Sequence, residues 1–259
     1  MSACTSAQTV ASSTSNADIV STMFDRDEVE AFWRARYAQL RTTTDGREAT
    51  WLDYSSDEAR GLRLQSQTFA IVLEALGPLQ GARCLDAGCG WGRFTRVMAT
   101  LGARATGLDL IDDTITTLRT QHPDIEWTAG NFLVPDAIVG QFDRIVAIES
   151  FQCAGPPDAS LRALWPHLAP GGRLVAIMPN ADCPIVQRAV AGLAGHLFAI
   201  APAALIEEVR ALPQLARYAM RGLEFAKDQW IAPYTITDWA QDASAWPIAN
   251  RIVIVIEKR

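Results

Sequence analysis

Histidine is scarce in this chain, with three in 259 residues (His122, His167 and His196), and so is any concentration of positive charge. Twenty-three Lys and Arg against 29 Asp and Glu leave a formal charge of −6, and no Lys/Arg cluster stands out. Proteins that hold duplexes or ribosomal RNA draw much of their affinity from neutralised phosphates, so a nucleic-acid substrate is disfavoured. The five cysteines (Cys4, Cys84, Cys89, Cys153, Cys183) are odd in number and form no C-x-x-C pair. Neither a disulfide framework nor a metal site is expected, and the usage fits a reducing cytoplasm. Residues 1–22 carry no Lys or Arg and no apolar core, and are rich in Ser, Thr and Ala. They read as a disordered tail and not as a signal peptide. Long apolar runs are missing too, except Ala189 to Ile206, 18 residues without a formal charge. That stretch is Ala/Gly-rich and holds His196 and Pro202, so it reads as a buried or lid helix pair and no stable membrane insertion is expected.

With 49% hydrophobic and 20% charged residues, the chain has material for one sizeable core. Two amphipathic helices are expected first, over 25–41 and from an N-cap at Ser56 to Leu76, where Gly77-Pro78 stops the second. Short apolar runs then alternate with helical segments. Strands are predicted at Arg83–Ala87, Arg104–Asp109, Ile125–Ala129, Phe142–Glu149 and Arg173–Pro179, with helices at Trp91–Leu101, Asp112–Gln121 and Asp158–Leu168. Such alternation implies a parallel sheet with right-handed crossovers, and the nearly all-apolar Arg173–Met178 suits a sheet covered on both faces. After Pro179 the rhythm breaks. Residues 183–214 read as a helical insertion placed as a lid, and final strands are expected at Leu223–Phe225 and Ile252–Glu257. The organisation is a tail (1–22), a helical cap (23–77) and an α/β domain (78–259).

Chemistry concentrates in Cys84-Leu85-Asp86-Ala87-Gly88-Cys89-Gly90-Trp91-Gly92, where the first strand hands over to a helix. Glycines there let backbone approach a ligand, and the helix start offers unpaired N–H groups. The second strand ends in Gly107-Leu108-Asp109, with an acid at the distance where this architecture sets a carboxylate against ribose hydroxyls. Asp86 precedes the glycines, where it would repel a pyrophosphate and attract an α-amino group. The third glycine follows Gly90 by two residues, so the strict G-x-G-x-x-G fingerprint fails. Both features favour a cationic amino-acid-like ligand over NAD. Cys89 and Trp91 read as turn and packing residues.

The run L-D-A-G-C-G-W-G (85–92) resembles motif I of the class I S-adenosylmethionine-dependent methyltransferases, and G-L-D-L (107–110) resembles their second motif. The resemblance continues through Ala129-Gly130-Asn131-Phe132, Phe142-Asp143-Arg144-Ile145-Val146 and Leu168-Ala169-Pro170-Gly171-Gly172-Arg173-Leu174, covering about residues 50–180. It implies an α/β, Rossmann-like, seven-stranded and mostly parallel sheet, with N-terminal helices and a helical insertion after the fifth strand. It also implies S-adenosylmethionine as methyl donor, with Gly88 and Gly90 under the methionine moiety, Asp86 near its amino group and Asp109 on the ribose. Leu110 and Phe132 join the adenine side, with Asn131 where the family often has Asp. Trp51 to Ala59 resembles the segment that closes over the donor. Tyr54 there reads either as a contact to the donor carboxylate or as a packing residue.

The acceptor end is less distinctive. Glu149-Ser150-Phe151-Gln152-Cys153 follows the fourth strand. Some small-molecule methyltransferases read E-S-L-H-H there, and cyclopropane-fatty-acid synthases carry F-E-H. Gln152 and Cys153 replace those catalytic side chains. Glu149 is then the favoured polar group beside the acceptor, and His196, in the insertion, is the second candidate. The expected reaction is methyl transfer to O or N of a small, hydrophobic or aromatic metabolite. The alternatives are lipid C-methyl or cyclopropane-type modification, and a protein that binds the donor without transferring methyl. A homodimer is left open.

Overall fold

The computed structural model describes residues 25–43, 58–193, 195–223, 236–238 and 249–259. The expected tail, Tyr54 and the Ser56 cap lie outside them. Two helices lead, α1 (Arg26–Thr43) and α2 (Glu58–Leu76), followed by β1 (Arg83–Ala87), α3 (Arg93–Thr100), β2 (Arg104–Asp109), α4 (Asp112–Gln121), β3 (Glu126–Ala129) and β4 (Phe142–Ile148). The short α5 (Phe151–Ala154) and α6 (Pro157–Leu164) precede β5 (Leu168–Pro179). Then come α7 (Pro184–Gly192), α8 (Pro202–Arg210), β6 (Leu215–Leu223), β7 (Ile236–Asp238) and β8 (Arg251–Lys258).

The strands form one sheet in the order β3-β2-β1-β4-β5-β8-β6-β7. The neighbours from β3 to β5 run parallel, and β8, β6 and β7 add antiparallel. Seven strands give the expected Rossmann-like frame, and the three-residue β7 extends its edge. Alternating side chains send Leu85, Ala87, Leu174, Ala176 and Met178 to one face, against Leu161 and Leu164 of α6. Cys84, Val146, Val175 and Ile177 go to the other, against Val72 and Leu76 of α2 and Phe94 and Met98 of α3. Both faces are covered, which is why the inner strands can be apolar throughout.

The C-terminal carbonyls of α2 are held from the sheet. Arg144 Nε of β4 donates to Leu76 O at 2.8 Å, and Arg173 Nη1 of β5 donates to Ala75 O at 2.6 Å. No basic residue in the last turn of α2 could do this locally.

Two expectations are corrected. The 183–214 segment is not one lid: Leu205 and Val209 of α8 are fully buried in the same core cluster as Leu161 and Trp165, so α8 covers the sheet face. The stretch near 196–200 is what reaches the site end, with Phe198 N donating to Gln152 O at 3.0 Å. Strand β6 starts at Leu215, ahead of the expected Leu223, because its pairing with β8 recruits the mixed sequence Leu-Ala-Arg-Tyr-Ala-Met; residues 224 and 225 lie outside the described residues.

Candidate active site

Register fixes where the motif residues meet. Asp86 pairs with Gly107 on β2 and Val146 on β4, so the ends of β1, β2 and β4 lie side by side and deliver their loops to one edge. Three glycines of the first loop answer to three different neighbours. A methyl at Gly88 (φ +81°) would fall 2.3 Å from Ser150 Cβ, and one at Gly92 (φ +67°) would fall 2.3 Å from the Trp127 ring. At Gly90 (φ +52°) a methyl would meet only the Tyr37 hydroxyl among the described residues, at an ordinary contact distance of 3.8 Å, so this position is the least crowded of the three. Ser150 also ties β4 to the loop, its Oγ donating to Ala87 O at 2.6 Å.

The two acids sit at the base of this loop. Asp109 is buried and accepts from Gly90 N at 2.7 Å and from Ile111 N at 3.1 Å, which pins the turn to the end of β2. Burial raises its pKa, opposed first by the Gly90 N–H. Asp86 is 2% exposed, with one carboxylate oxygen accepting from Thr95 Oγ1 at 2.7 Å. Burial pushes it up to about 7, against the Thr95 hydrogen bond and with added repulsion from Asp109. No cation faces Asp86 among its described hydrogen-bond partners.

On the adenine side of the expectation, Leu110 is half-buried. Asn131 Oδ1 accepts from Leu133 N at 2.9 Å, capping its own turn, while Nδ2 lies 3.4 Å from Glu30 Oε2 of α1. Phe132 is buried in the main core, 6.2 Å from the Phe151 ring, so it packs there instead of lining the loop.

Helix α1 lies across the whole edge. Tyr37 approaches Gly90, Glu30 meets Asn131, and Arg34 Nη1 reaches Asp112 at 3.6 Å. Further along, Phe32 stacks on His196 at 4.1 Å, Trp33 Nε1 donates to His196 O at 2.9 Å, and His196 Nε2 lies 3.6 Å from Glu28. His196 is thus taken up by α1 and is not in contact with Glu149.

Glu149 stands just past β4 in left-handed backbone (φ +56°), unusual for a side chain of its kind. Arg251 Nε donates to its Oε1, and Gln152 Nε2 donates to Oε2 at 2.6 Å. Burial raises the Glu149 pKa, opposed by Arg251. Both carboxylate oxygens already accept hydrogen bonds within the protein, which counts against Glu149 being the polar group that meets the acceptor directly. Cys153 beside it is also raised by burial, so it presents a thiol. Sequence reading missed Tyr37, Thr95 and Arg251. Only Tyr37 carried a signal, as an aromatic on the apolar stripe of α1.

A family model described as a methyltransferase domain matches residues 26–245. The ubiquinone biosynthesis O-methyltransferase of Xanthomonas oryzae pv. oryzae is 29% identical over 171 residues, covering 64% of this chain. The chain spans 63% of that relative's length. The corresponding enzyme of Bordetella avium is 29% identical over 129 residues, covering 48% of this chain and 54% of its own. Among solved structures, magnesium protoporphyrin IX methyltransferase from Synechocystis PCC 6803 superposes with a TM-score of 0.59 at 17% identity, over 89% of this chain and all of that one. An N-methyltransferase from Bradyrhizobium japonicum WM9 gives 0.56 at 18% identity, over 86% and 97%. Strand order, the glycine loop set against two buried acids and the family match agree: the chain belongs to the class I S-adenosylmethionine-dependent methyltransferases.

Proposed function

We propose that this protein transfers a methyl group from S-adenosylmethionine to an oxygen or nitrogen atom of a small, hydrophobic or aromatic metabolite. The observation that carries the reading is the buried Asp86, which meets no cation among its described hydrogen-bond partners, set beside Asp109 at the base of the uncrowded Gly90 turn. An α-ammonium group satisfies Asp86 better than a proton does, and a flat backbone at residue 90 admits the methionine chain. The residues therefore fit the donor. Gly88 and Gly90 would underlie it, Asp86 would meet its amino group, and Asp109 would take the ribose hydroxyls through its remaining lone pairs. Leu110 and Asn131 would border the adenine. When bound, the donor supplies a sulfonium methyl: an acceptor lone pair forms the new bond to carbon, the carbon–sulfur pair returns to sulfur, and the acceptor's proton leaves to solvent.

The chain's own contribution is positioning and exclusion of water. Phe32, Trp33 and Tyr37 of α1 give the edge an aromatic cover, which favours an apolar or aromatic acceptor. The relatives named as ubiquinone biosynthesis O-methyltransferases support transfer to oxygen. Among the described residues no helix is long and apolar enough to cross a membrane. Incubating the protein with methyl-labelled donor and a metabolite extract tests the proposal. Label in a small, chloroform- or ethyl-acetate-soluble product supports it. Label in cyclopropanated or C-methylated lipid would replace it with lipid modification, and donor binding without any labelled product would leave a binding protein.

A further inference from the structure

The end of β4 holds a polar chain that the methyl donor does not explain. Arg251, at the start of β8, donates to one oxygen of Glu149, and the other oxygen accepts from Gln152 Nε2 at 2.6 Å. The Glu149 and Arg251 side chains are 12% and 29% exposed, so water does little to loosen the pair. A carboxylate held by a guanidinium offers only acceptor sites, so the amide NH2 of Gln152 must face it. That settles which way the amide points: its carbonyl oxygen, Oε1, is turned away from Glu149.

Oε1 is buried and accepts no hydrogen bond among the described residues, and Gln152 as a whole is only 4% exposed. A buried acceptor left without a partner destabilises a fold; Gln67 Oε1 and Ser160 Oγ are others among the described residues, and Gln152 Oε1 is distinguished by its place on the segment that follows β4 at the site edge. Here the fold spends further effort on it. Glu149 is in left-handed backbone where its side chain meets both Arg251 and Gln152, and the backbone carbonyl of Gln152 is separately fixed by Phe198 N at 3.0 Å. Helix α5, which carries Gln152, packs under α1 beside the segment holding His196, one turn beyond the strand end that faces Gly88.

We propose that Gln152 Oε1 is the specificity-determining contact to the methyl acceptor, receiving a hydrogen bond from the O–H or N–H of the nucleophile itself. Glu149 and Arg251 are positioning residues that hold the amide in that orientation. The inference rests on the methyl-transfer reading above and narrows it. The favoured acceptor is a neutral hydroxyl or amine still bearing its proton; carboxylates, thiolates and fully substituted nitrogens offer no donor to Oε1 and are disfavoured. The amide is not a base at neutral pH, so it orients the lone pair toward the methyl and does not remove the proton.

Matched probes test this on the protein saturated with S-adenosylhomocysteine: phenol against anisole, and aniline against N,N-dimethylaniline. Within each pair the proton-bearing member should bind about tenfold more tightly, the effect of pairing or stranding one buried acceptor. It alone should shift the side-chain amide resonance of Gln152 in the labelled wild-type protein, a readout that needs no variant to fold. Gln152→Met should bring the binding ratio close to one. Glu149→Gln should reduce it too, because a second amide lets Gln152 turn over. Equal binding within the pairs, no saturable binding of phenol or aniline, or an undiminished ratio in Gln152→Met would overturn the assignment. Calorimetry with S-adenosylhomocysteine separates the two levels. Failure to bind it defeats the donor reading, whereas tight binding of it with no preference between the probes defeats only the role of Gln152.

Discussion

Ser150 occupies the space that any side chain at residue 88 would require: a methyl on Gly88 would lie 2.3 Å from its Cβ and 3.0 Å from its Oγ. The glycine is therefore demanded by a neighbouring strand end, independently of any ligand. Gly88→Ala is expected to destabilise the protein by about 2–4 kcal/mol, combining overpacking with a left-handed φ. In a Ser150→Gly background the same substitution should lose at least ~1 kcal/mol of that effect, since only the backbone strain remains. Denaturant titration of the four proteins checks the coupling; strictly additive effects would mean that Ser150 yields freely.

Asp86 makes donor binding dependent on pH. Its folded-state pKa stands at about 7 against an ordinary 3.8, so the charged form is disfavoured in the ligand-free fold. For a raised acid, stability is greatest below the ordinary value, declines as pH rises toward 7 and stays reduced above it. An ammonium ligand reverses this by stabilising the charged form. Affinity for S-adenosylhomocysteine should therefore fall as pH drops below about 7, with uptake of up to one proton by the free protein. Calorimetry in buffers of different ionisation enthalpy at pH 7 should show release of about half a proton on binding. Asp86→Asn should melt higher than wild type at pH 8 while binding the donor product more weakly. A pH-independent affinity between 6 and 8 would contradict the assignment.

Asp109 has two tasks in this geometry, and its removal should show both. Asp109→Ala frees the Gly90 and Ile111 N–H groups and takes away the expected ribose contact. Donor affinity should drop by about 1.5–3 kcal/mol, with a loss of stability of about 1–3 kcal/mol. Calorimetry on the folded variant decides the first: an unchanged affinity would remove Asp109 from the donor site.

His196 is predicted to be dispensable for the chemical step. Its ring is stacked on Phe32 and its Nε2 faces Glu28, so His196→Ala should loosen the docking of α1 by about 0.5–1.5 kcal/mol. Loss of a true general base lowers kcat by about 10²–10⁴. With an acceptor identified by the labelling experiment, His196→Ala should stay within about tenfold of wild type. A larger fall with donor affinity intact would restore the histidine as a base.

The alternation of apolar runs and helical periods was enough to read β1, β2 and α4 to their terminal residues, because each is bounded by local turn chemistry. Where a boundary depends on a distant partner, the sequence is silent. Strand β5 starts at Leu168, ahead of Pro170-Gly171-Gly172, because Leu168 pairs with Phe142 across a bulge, although the tripeptide reads as a turn. The same holds in the site. Asp86, Gly88, Gly90 and Asp109 are set by one strand–turn–helix unit and its neighbour. The partnership of Glu149 with Arg251 joins residues 102 apart and bears no local mark. Nor does anything local mark that Gly92 is required by the Trp127 ring, which a methyl there would meet at 2.3 Å.

The two arginines that hold the end of α2 bear on the order in which the chain can fold. Leu76 waits for Arg144, 68 residues later, and Ala75 for Arg173, 98 residues later. A helix whose last carbonyls are satisfied only from β4 and β5 gains full stability when those strands are in register, not when its own turns first close. During synthesis α2 therefore emerges well before its clasp, frayed at the C-terminal end and with Val72 and Leu76 uncovered. Its protection against amide exchange should rise together with that of β5, making helix and strand one cooperative unit despite their distance along the chain.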